Sequence, residues 1–143
     1  MNRRLVLQAA SMLAFTAAAA AAGAQTVAPK RHKLVMQVSD ADPAKWSLAL
    51  NNARNVQQDV GASNVDLEIV AYGPGIGMLK HDSVVAGRLK EATEAGVKIV
   101  ACQNTMRNQK LTPADMSPVV GYVPAGVTEL MFKQAEGWAY IRP

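Results

Sequence analysis

The stretch "KLVMQVSDADPAKWSLALNNARNVQQDVG", residues 33–61, decides the fold because it contains a complete strand-to-helix unit. Its first seven residues form a short apolar run, which is typical of a buried strand. Asp40 or Asp42 then supplies a helix N-cap, and Pro43 suits the first helical position. Apolar residues recur from there at helical spacing until Gly61, so the pattern predicts a helix with one apolar face.

The same alternation continues to the end of the chain. Helical patterns at 83–96 and 125–138 are flanked by further apolar runs, and a polar segment at 103–118 has room for one or two short helices. The further strands are predicted at residues 65–72, 97–102, 119–124 and 139–142. Strands that alternate with helices of about a dozen residues pair in parallel through right-handed crossovers. The sequence therefore predicts one α/β domain over residues 33–143.

The first 24 residues have the three parts of an export signal. Arg3 and Arg4 precede an alanine-rich apolar stretch, and "AGA" at residues 22–24 is a small-x-small cleavage site. This pattern predicts a cleaved signal peptide over residues 1–24 and a flexible lead-in over residues 25–32. The paired arginines also fit the twin-arginine route. We therefore expect a periplasmic protein that has no membrane contact once the signal is removed.

Composition excludes several classes of partner. Without the signal, the chain has 13 Lys and Arg residues and 11 Asp and Glu residues. The net charge of about +2 is too small to indicate a nucleic-acid partner. The glycines of "GPGIG" lack the spacing of a nucleotide loop, and the methionines are scattered. We therefore predict no cofactor and no metal site.

The single cysteine, Cys102, excludes an internal disulfide. In an oxidising compartment such a thiol is buried and inert, paired between chains, or kept for chemistry. Ligands of an open parallel sheet bind beyond the carboxyl ends of its strands, and Cys102 ends the third predicted strand. Cysteine is also among the most buried residue types and packs as a small apolar group, so a structural role stays open.

The residues that follow Cys102 indicate how it could be activated. Asn104 or Thr105 caps a predicted helix start, where unpaired N–H groups and a partial positive charge favour a thiolate. Arg107 adds a positive charge nearby. We predict that Cys102 is the catalytic residue and that these three residues contribute to binding.

A glycine-rich loop on the same predicted rim completes the candidate site. Gly73 and Gly75 lie at its start and are predicted binding residues. His81 lies further along it and is the one candidate partner for the thiol, because the other histidine, His32, belongs to the predicted lead-in.

From about residue 33 to residue 142, the chain resembles the DsrE/DsrF-like family, which includes the TusD-type sulfur-relay subunits. The resemblance is carried by the segments "KLVMQV", "LEIVAYGPGIGML", "VKIVACQNTMRNQKL" and "AGVTELMFKQAEGWAYIRP". It implies a three-layer α/β/α domain with a five-stranded, mostly parallel sheet. It also implies assembly into homotrimers or hexamers.

In relay members of this family, a cysteine at the end of the same strand accepts sulfane sulfur as a persulfide, and Cys102 falls on that position. The chain departs from those members in its export signal and in the polar segment "QNTMRNQ". Two hypotheses follow. The first is a periplasmic sulfur carrier or sulfurtransferase that takes sulfur from a donor protein or a small sulfur anion. The second is a non-enzymatic oligomeric small-molecule-binding module with a structural cysteine.

Overall fold

A computed structural model describes residues 31–143, so the predicted signal peptide and most of the lead-in lie outside the described residues. Strands and α-helices alternate along this part of the chain. In order they are β1 His32–Val38, α1 Pro43–Val60, β2 Val65–Ala71, α2 Ala86–Glu94, β3 Lys98–Cys102, α3 Gln103–Asn108, β4 Gly121–Val123, α4 Gly126–Ala135 and β5 Ala139–Ile141. The prediction for His32 is corrected, because this residue opens β1 instead of ending the lead-in.

The five strands form one sheet in the order β4-β3-β2-β1-β5, and every neighbouring pair is parallel. This confirms the predicted α/β class and the five-stranded parallel sheet. The strands β1 to β4 follow one another across the sheet, so their right-handed crossovers lie on one face. The connection from β4 back to β5 runs the other way, and α4 therefore covers the opposite face.

The two faces of the sheet bury very different amounts of apolar surface. The larger cluster contains 22 buried residues and fills the space between the sheet and α1, α2 and α3. The smaller cluster contains five buried residues, with Leu130 of α4 packed on Val35, Val70, Val100 and Val123 of the strands. Within the described part of the chain, no helix is both long enough and apolar enough to cross a bilayer.

The predicted glycine-rich loop is instead a 3₁₀ helix, Gly73–Leu79. It folds inward because Ile76, Met78 and Leu79 belong to the larger apolar cluster. Gly75 permits this packing, since a Cβ atom there would lie 2.3 Å from the carbonyl oxygen of Val38. The segment therefore packs into the core and supports the rim, and it does not form an open loop.

Two predicted element starts are also corrected. The second helix begins at Ala86, because the preceding residues form a turn in which the Ala86 N–H donates to the Ser83 carbonyl. The fourth strand begins at Gly121, because Val120 is held in a turn by its hydrogen bond to Ser117.

Candidate thiolate site

Cys102 lies at the carboxyl end of β3, an interior strand, and serves as the N-cap of α3. The Thr105 N–H donates to the Cys102 Sγ atom at 3.5 Å. The residue is 4% exposed and lies on the α4 face of the sheet, because its partner in β4 is Val123 of the smaller cluster. Cys102 nevertheless belongs to neither apolar cluster. It is thus a buried residue of the α4 face whose sulfur accepts a backbone hydrogen bond.

Hydrogen-bond donors converge on the sulfur and favour its ionised form. Burial by itself raises the pKa of the Cys102 thiol. The Thr105 hydroxyl and the backbone N–H groups of Gly126, Thr105 and Asn104 act in the opposite direction and together outweigh burial. The pKa of Cys102 therefore lies below the usual value for a cysteine. Stabilising the thiolate matters because the thiolate is the reactive form of the residue.

A second set of hydrogen bonds holds Thr105 in place. The Gly73 N–H donates to the Thr105 Oγ1 atom at 2.9 Å, and the Gln109 side chain donates to the Gly73 carbonyl at 3.2 Å. The Gly73 N–H thus fixes the Thr105 hydroxyl, which lowers the pKa of the Cys102 thiol. The structure thus brings the predicted residues Gly73, Thr105 and Cys102 together.

The other predicted site residues lie elsewhere or act differently. The Asn104 N–H lies close enough to Cys102 to lower its pKa, but its hydrogen bond goes to the Pro124 carbonyl at 3.2 Å. The Asn104 side-chain oxygen accepts from Arg107 on the exposed side of α3. The His81 ring lies 3.0 Å from the Asp115 carbonyl, which also accepts from the His81 N–H. Neither Arg107 nor His81 is hydrogen-bonded to Cys102, and Gly75 supports the rim through its close packing on β1.

Sequence reasoning missed two residues of the site, Gly126 and Tyr72. The Gly126 N–H, at the start of α4, lowers the pKa of the Cys102 thiol. Glycine suits this start, since a Cβ atom at Gly126 would lie 3.0 Å from Tyr72 Cβ. No side chain in this segment indicates a role. A glycine directly at the start of a helix beside the rim was the available signal.

Within residues 31–143, no three His, Cys, Asp or Glu side chains are grouped so that they could hold a metal ion. The site consists of the Cys102 thiol and the hydrogen-bond donors around it. Such an arrangement can stabilise a sulfur anion and present it for nucleophilic attack.

A model of the DsrE/DsrF-like family matches residues 8–143. The chain belongs to the DsrE/DsrF-like family. Among solved structures, it is similar to MTH1491 of Methanobacterium thermoautotrophicum, a protein of unknown function, with 36% identity and a TM-score of 0.75. That match covers 78% of this chain and 99% of MTH1491. The predicted family is thus confirmed.

Two more distant structures share the fold. The ychN protein of E. coli is 16% identical, with a TM-score of 0.64 over 78% of this chain and 99% of its own. BT1422 of Bacteroides thetaiotaomicron, a protein of unknown function, is 16% identical, with a TM-score of 0.59 over 78% of this chain and 94% of its own. A comparison with curated proteins gave no match.

Proposed function

We propose that this DsrE-family protein is a sulfur carrier or sulfurtransferase that binds sulfane sulfur as a persulfide on Cys102. The observation that carries the proposal is the position of Cys102 as the N-cap of α3, where its sulfur accepts from the Thr105 N–H and nearby donors lower its pKa. A cysteine that only fills space needs no such donors, because a neutral thiol is a weak hydrogen-bond acceptor. A thiolate needs them, because a buried charge without partners is costly.

The transfer is a pair of sulfur exchanges. The Cys102 thiolate attacks the sulfane sulfur of a donor, a new S–S bond forms, and the donor's own bond to that sulfur breaks with its electron pair going to the leaving group. An acceptor thiolate then attacks the outer sulfur of the persulfide and restores the Cys102 thiolate. The donors around Cys102 stabilise the sulfur anion before the first step and after the second.

Sulfur loading tests the proposal directly. The protein is incubated with thiosulfate or with inorganic polysulfide, and its intact mass is measured. We expect a gain of about 32 Da, one sulfur atom, that dithiothreitol removes. Cys102→Ser should gain nothing, and equal loading of this variant would refute the role of Cys102.

The Thr105 hydroxyl gives a sharper test of thiolate stabilisation. Thr105→Val removes one hydrogen bond to a charged group, so the rate of alkylation by iodoacetamide at pH 7 should fall about tenfold, with the pH profile moving to higher pH. Thr105→Ser keeps the hydroxyl and is the matched control. If Val and Ser variants react alike, the hydroxyl does not act on the sulfur.

The second candidate is a non-enzymatic oligomeric binding module with a structural cysteine, which is favoured by the 4% exposure of Cys102. The two functions differ in how the native thiol reacts. A thiol that resists iodoacetamide from pH 6 to pH 9, and reacts only after unfolding, supports the binding module. A native thiol that reacts with a pH midpoint below that of a free cysteine, about 8.5, supports the carrier.

We further propose that the protein assembles as a homotrimer or homohexamer. Support comes from three large apolar side chains that α4 leaves more than half exposed, Val127, Met131 and Phe132. Val127 and Met131 are one helical turn apart, so they form a continuous apolar strip. Light scattering should give three or six times the subunit mass, and Met131→Lys should lower it; a monomeric wild type would refute the assembly.

We also propose that the chain is exported to the periplasm after cleavage of residues 1–24. The arginine pair, the alanine-rich stretch and the small-x-small site support this proposal. Cell fractionation followed by N-terminal sequencing should find a periplasmic protein that starts at Gln25. Replacing Arg3 and Arg4 by lysine distinguishes twin-arginine export from other export routes, because only twin-arginine export should stop.

A further inference from the structure

A cleft between α1 and α2 lies on the opposite side of the sheet from Cys102. Two side-chain hydrogen bonds cross it. The Arg88 guanidinium of α2 donates to the Asn51 side-chain oxygen at 2.6 Å, and the Gln57 amide of α1 donates to the Ala95 carbonyl at 2.7 Å. These two hydrogen bonds tie the helices together at the two ends of the cleft and set the distance between them.

The space between the two hydrogen bonds is open because the side chains that face it are small. Ala53 of α1 and Ala92 of α2 carry only a methyl group, and the helices leave a cavity of about 210 Å³. Its floor is apolar, since Leu50, Ala53 and Val97 are buried members of the larger cluster. Pockets for drug-sized ligands have volumes of about 300–1,000 Å³, so this smaller cavity suits a molecule of amino-acid size.

The mouth of the cleft carries one positive and one negative side chain. The two crossing hydrogen bonds join residues that are 37 and 38 positions apart, so the helices keep one register along the cleft. Arg54 and Glu91 are also 37 positions apart and both line the cavity, so they lie opposite each other. Both are exposed, and among the residues that the structure describes neither has an ion-pair partner. A guanidinium and a carboxylate are thus available to one ligand.

These features are complementary to a small zwitterion with an apolar body. A guanidinium binds a carboxylate through two parallel hydrogen bonds, and a carboxylate binds an ammonium group through charge-assisted ones. The apolar floor between the two charges favours burial of an alkyl group. A free aliphatic α-amino acid carries all three groups on one carbon atom, whereas a fatty acid or an alkylamine uses only one of the two charges.

We propose that the α1–α2 cleft binds a free aliphatic α-amino acid, with its carboxylate on Arg54, its ammonium group on Glu91 and its side chain on the apolar floor. The cleft lies near the amino ends of the strands, because Val97 directly precedes β3, whereas Cys102 ends that strand. The proposed site is therefore separate from the thiolate site and does not depend on sulfur transfer.

Isothermal titration calorimetry with four related compounds tests the inference. L-leucine should bind at one site per chain, with a Kd below about 1 mM. 4-Methylpentanoate lacks the ammonium group and 3-methylbutylamine lacks the carboxylate, so each should bind about fivefold more weakly or worse, because one charge-assisted contact at an exposed position is lost. Glycine, which lacks the alkyl group, should give no detectable binding. Absence of L-leucine binding, or equal affinity for L-leucine and 4-methylpentanoate, overturns the inference.

Charge variants locate the ligand. L-leucine should bind Arg54→Gln as weakly as 3-methylbutylamine binds wild type, and it should bind Glu91→Gln as weakly as 4-methylpentanoate binds wild type. Lys90→Gln and Glu94→Gln make equivalent charge changes on exposed residues of α2 that do not line the cavity, and both should bind L-leucine like wild type. Equal losses in the cleft variants and in these controls would contradict the site.

Filling the cavity gives an independent test. Ala92 is half-buried, so Ala92→Leu extends a side chain over the apolar floor and should abolish L-leucine binding. A folded Ala92→Leu variant, checked by its urea unfolding midpoint, that binds L-leucine with unchanged affinity would show that the ligand lies elsewhere. The two charge variants decide the question if Ala92→Leu does not fold. Alkylation of Cys102 should be the same in every variant, because the cleft and the thiol lie on opposite faces of the sheet.

Discussion

The two faces of the sheet differ in what they bury. The face under α1, α2 and α3 closes over 22 buried residues that are all apolar or small. The face under α4 closes over only five, and the same face carries the buried Glu68 and the hydrogen-bonded Cys102. The first face therefore supplies most of the hydrophobic stabilisation, and the second buries less apolar surface and contains the buried Glu68 and Cys102.

Glu68 is a buried acidic residue on the α4 face of the sheet, and two lysines lie beside it. Its side chain is fully buried, and one carboxylate oxygen lies 3.2 Å from both Lys98 Nζ and Lys133 Nζ. Burial, with the nearby Glu129, raises the pKa of Glu68 despite these two lysines. Lys133 also lies 4.4 Å over the Trp138 ring. This cluster therefore anchors α4, the helix whose first N–H reaches Cys102.

The largest effect is expected on the apolar face. Leu89 of α2 is fully buried there, so Leu89→Ala should lower the free energy of unfolding in urea by about 2–5 kcal/mol. The folded protein should keep the alkylation profile of Cys102. Leu130→Ala on α4 should cost less, at the lower end of that range, but should slow alkylation because α4 carries Gly126. If Leu89→Ala alters the thiol and Leu130→Ala does not, the proposed division between the faces is wrong.

The buried ion cluster should give the next effect. Lys133→Met leaves Glu68 with Lys98 alone and should cost roughly 2 kcal/mol of unfolding free energy at pH 7, because an uncompensated buried charge is costly. The double variant Glu68→Met/Lys133→Met removes the charge and should recover most of the loss. A double variant whose loss equals the sum of the two single losses would show that the residues are not coupled.

The pH dependence of that loss has a definite sign. Because burial raises the pKa of Glu68 in the folded state, folding favours its protonated form. The stability linked to this proton is fully present below the ordinary glutamate value, about 4.3, and is lost as the pH rises through the raised folded value. The cost of Lys133→Met, measured by urea unfolding, should therefore shrink as the pH is lowered.

The sequence predicted the strands and the position of Cys102, but not the long-range contacts of the α4 face. Apolar runs and helical spacing are local patterns, so the five strands and the position of Cys102 at the sheet rim followed from them. The Thr105 N–H was also predicted from the helix start, but Gly126 was not, because a backbone N–H carries no side-chain signal and α4 comes near Cys102 only through the fold. Glu68 is one of two acidic residues in an otherwise apolar strand, and its burial depends on Lys133, which is distant in sequence.

Local hydrogen bonds explain why two predicted site residues do not contact the thiol. Sequence spacing placed His81 and Arg107 on the rim, where both were expected to serve Cys102. Local hydrogen bonds decide otherwise, since His81 is held at the Asp115 carbonyl and Arg107 at the Asn104 side chain. Neither bond could be inferred from composition or periodicity.

Substitution of Gly126 tests how closely the α4 face of the sheet packs around the thiol, and Gly87 provides the control. Gly126→Ala places a Cβ atom 3.0 Å from Tyr72, so the start of α4 must move by a few tenths of an ångström. We expect a loss of about 1 kcal/mol in unfolding free energy and slower alkylation of Cys102 at pH 7. Gly87→Ala in α2 is the matched control, because its Cβ atom meets nothing within 4 Å. It should stabilise by about 0.5–1 kcal/mol and leave alkylation unchanged, and equal effects of both variants on the thiol would contradict the fit.

The smallest effect is expected at a turn beside the apolar face. The Asp115 carboxylate accepts hydrogen bonds from the Thr112 N–H at 2.7 Å and from its hydroxyl at 2.8 Å, which lower the pKa of Asp115. Stability from this carboxylate is present above the ordinary aspartate value, about 3.9, and is lost as the pH falls through the lowered folded value. Asp115→Asn should therefore lower the melting temperature slightly at pH 7, and the difference from wild type should vanish in acid. Cys102 alkylation should not change, since the adjacent Met116 packs in the larger cluster; a changed thiol would mean that this turn also supports the second face.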